Sequence, residues 1–344
     1  MHYNKLAYGA WAAYWDETNG AAEIDAAGGA LTDVIAFAAI FGANGEPFLL
    51  PEAARLTQTL TILYGATHTV YLSVVNDVET AEEQYENKST SILWRVLGTD
   101  EAVDAHIDAL MNVLSESGAE GLEIDYEAIR TDTALWQRYV YFLTKLYART
   151  SAEGVPLRAV LEWNAAQYAT FPKGPQYSVM CYNLYGSHSG PGPKADRAFL
   201  KNTFLLCRSL PGDTAMAFAT GGYDWGADGS VSARTQIEAE KIIDSYGVAA
   251  EDVQRDADSG ALYFCVPEAG RRDARGLVCR RGDAFRLARA GGDGGLPADR
   301  SVPPAGEYAG VSRRVLRRGL TREKQNKKPP AARSHGRRLF RFVR

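Results

Sequence analysis

Residues 119–127 read Ala119-Glu-Gly-Leu-Glu-Ile-Asp-Tyr-Glu127. On an extended strand, side chains alternate between two faces. Glu123, Asp125 and Glu127 then share one face, and Leu122, Ile124 and Tyr126 share the other. Adjacent carboxylates repel one another, and each is costly to desolvate. A strand whose other face is apolar does not carry such a stripe cheaply. Crowding also drives carboxyl pKa values apart, so that one group can hold a proton at neutral pH while its neighbour stays ionised. That combination suits acid catalysis, and perturbed carboxylates cluster at active sites. The plainer alternative is a solvated edge strand with an acidic face.

Outward from this stretch, short apolar runs alternate with amphipathic ones. Strands are expected at 5–14, 33–41, 69–76, 121–127, 156–163, 177–185 and 214–223. Several are almost wholly apolar, as parallel strands covered on both faces are. A helix is expected after Thr99, with Asp100 and Glu101 in its first turn and Ile107, Leu110, Met111 and Leu114 along one stripe. A second begins near Thr131 or Asp132 and carries Leu135, Tyr139, Phe142, Leu143 and Leu146. Seven strand–helix units predict an α/β fold of the (β/α)₈ TIM-barrel type, incomplete because no eighth strand is recognisable. A doubly wound open sheet is the runner-up. It lacks support from any glycine-rich phosphate loop after an early strand.

In such a barrel the chemistry gathers at the C-terminal strand ends. Glu127 ends its strand. Trp11, Tyr14 and Trp15 close the first, Glu162-Trp163-Asn164 the fifth, Met180-Cys-Tyr-Asn183 the sixth, and Tyr223-Asp-Trp225 the seventh. Four of the six tryptophans thus fall at one expected rim. Aromatic faces beside polar groups suit sugar rings, although any single tryptophan is as readily explained by core packing. His68 and His106 have no partner at metal-ligand spacing and read as structural. No nucleophile elbow, HExxH or P-loop is present.

The chain resembles glycoside hydrolase family 18, whose fourth-strand signature DGxDxDxE is matched in frame by Glu120-Gly-Leu-Glu-Ile-Asp-Tyr-Glu127. Met180-Cys-Tyr182, Gly190-Pro-Gly-Pro193 and Gly221-Gly-Tyr-Asp-Trp225 resemble the bacterial spore and cell-wall N-acetylglucosaminidase branch. The likeness covers roughly residues 5–265. It implies a glycosidase that cleaves β-linked N-acetylglucosamine polymers, chitin-like or peptidoglycan, by a substrate-assisted retaining mechanism. Glu127 matches the general acid. Asp125 matches the residue that orients the 2-acetamido group, and Tyr182 the tyrosine that hydrogen-bonds its carbonyl. Glu123 stands behind Asp125, with Trp11, Trp15, Trp163, Met180, Asn183, Tyr223 and Trp225 as substrate-binding candidates. Glu120 and Glu123 replace the usual aspartates, Asn183 stands where aspartate is common, and Gly221 removes an aromatic. A catalytically weak or inactive, lectin-like sugar-binding barrel is the alternative. No cofactor or metal is implied.

Composition bounds the partners. Residues 270–344 hold 21 Lys and Arg against 6 Asp and Glu, in a chain whose net charge is −4. The body is therefore strongly acidic and ill suited to nucleic acid. Cys181, Cys207, Cys265 and Cys279 show no CxxC spacing, so neither a disulfide framework nor zinc is expected. No apolar run is long enough to span a bilayer. The sequence starts without a signal-peptide pattern, which reads as cytoplasmic as written, whereas the family's members are often extracellular or bound to spore or cell envelope.

Two domains are expected, a catalytic barrel over 1–265 and a basic, low-order tail over 266–344. Arginine and glycine dominate the tail, and alternation disappears. The codons of Ala274 to Ala284, regrouped by one base, permit HEVWFADGETL, which resembles the family's HEVWF-D-x-x-S/T-L before its last helix and strand. We read the tail as out-of-frame translation that begins between Tyr263 and Ala274.

Overall fold

The structure is a computed structural model; it describes residues 7–267 apart from 83, 213 and 227, and the backbone of two further strands at 277–282 and 288–290. Seven strands form a curled parallel sheet: β1 (Gly9–Ala13), β2 (Asp33–Gly42), β3 (Thr69–Ala81), β4 (Gly121–Asp125), β5 (Leu157–Leu161), β6 (Gln176–Met180) and β7 (Thr214–Ala217). Each pairs in parallel with its successor in the chain, from β1 to β7. Helices lie between them, as an incomplete (β/α)₈ barrel requires. Among the described residues no eighth parallel strand joins β7 to β1. The free edge of β7 pairs instead with Ala288–Ala290, antiparallel.

The helices form where caps and stripes coincide. Helix α1 spans Glu17–Ala27, α2 Pro51–Tyr64, α3 Thr90–Leu97 and α4 Asp100–Ser117. Thr99 caps α4 by accepting from the Ala102 amide at 3.1 Å. Asp132 caps α5 (Thr133–Ala152) in the same way through Leu135. The apolar stripes of α4 and α5 bury Leu110, Leu114, Tyr139, Phe142 and Leu143 against Leu122 and Ile124 of β4. Full burial of each such side chain contributes about 2 kcal/mol. Gly121 opens β4 because the Tyr71 ring lies 2.5 Å from where a Cβ would stand.

His106 of α4 sits in this apolar layer, as its structural reading anticipates. Its ring stacks 5.3 Å from Phe142, and its Nε2 lies 2.8 Å from the Tyr126 hydroxyl. Burial pushes the imidazole down to about 3, so it is neutral at physiological pH.

The last expected strand differs from expectation. The strand over 214–223 breaks at Ala217, and Gly222–Trp225 belongs to a second, antiparallel sheet. The turn is made at Gly221, whose φ of 70° is open to glycine at no steric cost. The second sheet runs Val231–Arg234, Gly222–Trp225, Leu277–Gly282, Leu262–Pro267, Gln254–Arg255. After α6 (Arg197–Cys207) comes α7 (Gln236–Tyr246), whose Ile242 and Ile243 cover this sheet at Phe264 and Val266. Cys265 is disulfide-bonded, which the cysteine spacing did not suggest. The remainder of the expected tail lies outside the described residues.

Candidate active site

Alternation along β4 turns Glu123 and Asp125 into the barrel interior, where both are fully buried, and Glu127 follows just past the strand end at 3% exposure. Glu123 is held from two sides. The Trp11 indole N–H donates to its Oε1 at 2.7 Å, and Arg158 Nη1 stands 3.6 Å from its Oε2. Arg158 is opposite Glu123 in the β4–β5 register, donates to Asp33 Oδ2 at 2.6 Å and lies 4.3 Å from the centre of the Tyr71 ring. A chain of charge, Glu123–Arg158–Asp33, buried at its first two members and half-buried at Asp33, therefore runs beneath the acidic stripe.

Glu127 has a different environment. Asn76 of β3 clamps its backbone, accepting from its N–H at 2.9 Å and donating to its carbonyl at 3.1 Å. The side chain pairs with Lys88, whose Nζ is 2.5 Å from Oε2. Burial pushes the Glu127 carboxyl above its ordinary value, Lys88 pulls it down, and the charges of Glu162 and Asp77 raise it. The balance lies above the ordinary glutamate range, which is the direction a proton donor at neutral pH needs.

Tyr182 is buried beside these groups. Burial first, then Glu127, Tyr223 and Glu123, holds its phenol well above the ordinary range. It is thus a neutral hydroxyl and a hydrogen-bond donor. Tyr182 and Met180 share an apolar cluster against which Trp11 packs. Trp11 also packs against the cluster containing Phe37, as does Trp15, whose ring meets Phe37 edge-on at 5.7 Å.

The remaining expected rim residues divide. Trp163 meets Phe199 edge-on at 5.4 Å and is half-buried. Asn183 is half-buried in the left-handed region, with φ 70°. Tyr223 is half-buried, with Lys194 Nζ 5.4 Å from its ring centre and Trp225 at 5.7 Å. Trp225 is buried, and its indole N–H donates to the Ser189 carbonyl at 3.0 Å, so its polar edge is already committed. Sequence reasoning missed Lys88, Asn76 and Arg158. Arg158 sits inside a run that reads as an apolar strand, and Lys88 follows the short strand Gln84–Glu86 in a polar stretch.

No family model matches the chain, and no curated protein matches it. Solved structures do. The chain superposes on a chitinase from Chromobacterium violaceum with TM-score 0.63 and 17% identity, covering 80% of this chain and 87% of that one. It matches the spore cortex-lytic enzyme SleL of Bacillus cereus with TM-score 0.62 and 16% identity, over 82% of this chain and 65% of that enzyme. A mutant class V chitinase from Nicotiana tobaccum, solved in complex with NAG4, matches with TM-score 0.60 and 12% identity, over 80% and 86% of the two chains. The fold is therefore the chitinase-like barrel that these glycosidases share.

Proposed function

We propose that this chain is a glycoside hydrolase that cleaves β-linked N-acetylglucosamine polymers with Glu127 as general acid. The observation that carries the reading is Glu127 itself, a buried carboxyl with a raised pKa just past the C-terminal end of a parallel strand in a chitinase-like fold. Its proton goes to the leaving glycosidic oxygen. The carbonyl oxygen of the sugar's 2-acetamido group attacks the anomeric carbon and displaces that oxygen, so a cyclic oxazolinium forms without an enzyme nucleophile, an exception to the two-carboxylate scheme. Asp125 orients the acetamide and offsets the developing positive charge, while the Tyr182 hydroxyl donates to the acetamide carbonyl. Water, deprotonated by Glu127, then opens the oxazolinium with net retention. Trp11, Trp15, Trp163, Met180, Asn183, Tyr223 and Trp225 are proposed to shape the sugar site around this centre, Trp11 and Trp225 through the hydrogen bonds their indoles already make.

One observation favours the lectin-like alternative. The Lys88 ammonium, 2.5 Å from Glu127 Oε2, favours the ionised carboxylate, the form that has no proton to give. The deciding measurement is turnover of an N-acetylglucosamine oligomer by the protein and by Glu127→Gln. The hydrolase reading expects the substitution to lower kcat by roughly 10²–10⁴-fold, the usual worth of a positioned acid. Turnover that survives it removes Glu127 as the acid. Binding without turnover in both proteins selects the lectin-like reading.

A further inference from the structure

We infer that Lys88 is a specificity-determining residue that receives a carboxylate carried by the sugar on the leaving side of the cut bond, which selects N-acetylmuramic acid-containing strands over neutral chitin. The inference rests on the proposed hydrolase reading and deepens it.

Position comes first. A general acid must reach the glycosidic oxygen at hydrogen-bond distance, about 3 Å. Lys88 Nζ is 2.5 Å from Glu127 Oε2. The ammonium therefore lies within roughly 6 Å of the bond being cut, on the acid's side. In N-acetylmuramic acid the lactyl ether stands on the 3-oxygen, next to the 4-oxygen that leaves. Its carboxylate is thus carried by the one sugar whose ring adjoins Glu127 and Lys88 together.

The lysine is also presented by a braced segment. Its own N–H donates to Asp77 Oδ1 at 2.8 Å, and it holds a left-handed φ of 53°. The next residue, Ser89, donates its N–H to the Asn76 carbonyl at 2.8 Å, and its hydroxyl caps α3 by accepting from Ile92 at 3.3 Å. Asn76 is the same residue that clamps the Glu127 backbone. Acid and ammonium are therefore registered to one residue, Asn76, while the Lys88 side chain stays 26% exposed and within reach of a ligand.

Charge supplies the selection. A neutral sugar offers hydroxyls, which compete poorly with a carboxylate for an ammonium, because only the carboxylate adds the attraction of an opposite full charge to the hydrogen bond. A lactyl carboxylate can compete. A lysine reaches it by rotating its flexible stem, with no backbone change. Once Lys88 turns to the ligand, its lowering influence on the Glu127 carboxyl is withdrawn, while burial and the negative charges of Glu162 and Asp77 still favour the protonated form. The carboxylated sugar would both bind and arm the acid, whereas chitin leaves the ion pair in place.

The test is calorimetric and kinetic on the full chain, with chitotetraose and a GlcNAc–MurNAc tetrasaccharide as probes. Wild type is expected to bind the carboxylated saccharide at least tenfold more tightly. Lys88→Met and Lys88→Gln should bring the two affinities to within about twofold, and Lys88→Arg should keep most of the preference. Equal affinities in wild type, tighter binding of chitotetraose, or a preference that survives Lys88→Met each overturns the inference. A Lys88-dependent preference without any turnover supports the binding role and overturns the hydrolase reading. Failure to bind either saccharide overturns both.

Discussion

At the scale of single residues, Glu127 is set by opposing effects of similar kind: burial raises its pKa, Lys88 lowers it, and Glu162 and Asp77 raise it again. As the proposed general acid, Glu127 must be protonated to act, so activity is expected to fall as pH rises through its pKa. Removing the ammonium takes away a lowering influence and leaves the raising ones. Lys88→Met should therefore move the basic limb of the kcat/KM profile for a neutral N-acetylglucosamine oligomer to higher pH, each tenfold gain in proton affinity corresponding to about 1.4 kcal/mol. Tyr182, which also feels the Glu127 charge, is held well above its ordinary range and does not ionise in this window. A basic limb that stays put, or moves down, shows that Lys88 does not set this proton affinity. The acidic stripe was legible in sequence because a period of two needs only local geometry. Lys88 and Asn76 were not, since they lie 39 and 51 residues from Glu127 and meet it only once β3 and β4 pair.

Among the secondary-structure elements, the starts and buried stripes of α4 and α5 could be read nearly to the residue, because capping side chains and apolar stripes are local signals. The seventh strand could not be. The apolar run continues through Phe218 and Ala219, so hydropathy carries the strand onward, whereas the backbone turns at Gly221 into another sheet. The fifth strand conceals a similar surprise. Arg158 stands in the middle of Leu157-Arg-Ala-Val-Leu161 and is 3% exposed, between Glu123 and Asp33. A buried cation in an apolar strand is tolerable only because both carboxylates and the Tyr71 face meet it. Arg158→Met should destabilise the fold by about 3–5 kcal/mol, because it leaves Glu123 as an uncompensated buried charge. Adding Glu123→Gln removes that charge, and the double variant should recover at least about 1 kcal/mol in urea unfolding. A double variant no more stable than Arg158→Met alone would show that the loss comes from packing, not from charge.

For the molecule as a whole, the open question is closure. A sheet rolled into a barrel has no edges, but among the described residues β1 pairs only with β2 and β7 meets only Ala288–Ala290 on its other side. We propose that residues 266–344 are translated out of frame and that the frame-corrected chain supplies the missing strand. The second sheet makes the exchange concrete. The slot between Gly222–Trp225 and Leu262–Pro267 is occupied by the backbone of Leu277–Gly282, whose sequence includes two arginines. The regrouped codons place WFADGE in the same slot, replacing both arginines and supplying a tryptophan and a phenylalanine. The frame-corrected protein should therefore be more stable by a few kcal/mol, which at about 2–4 °C per kcal/mol raises Tm by roughly 5–10 °C. It should also turn over N-acetylglucosamine oligomers faster, because closing the barrel fixes the strand ends that carry Glu127 and Tyr182. Equal melting temperatures and equal activities in the two proteins would refute the proposal. So would a coding sequence whose alternative frame runs into stop codons before an eighth strand can be completed.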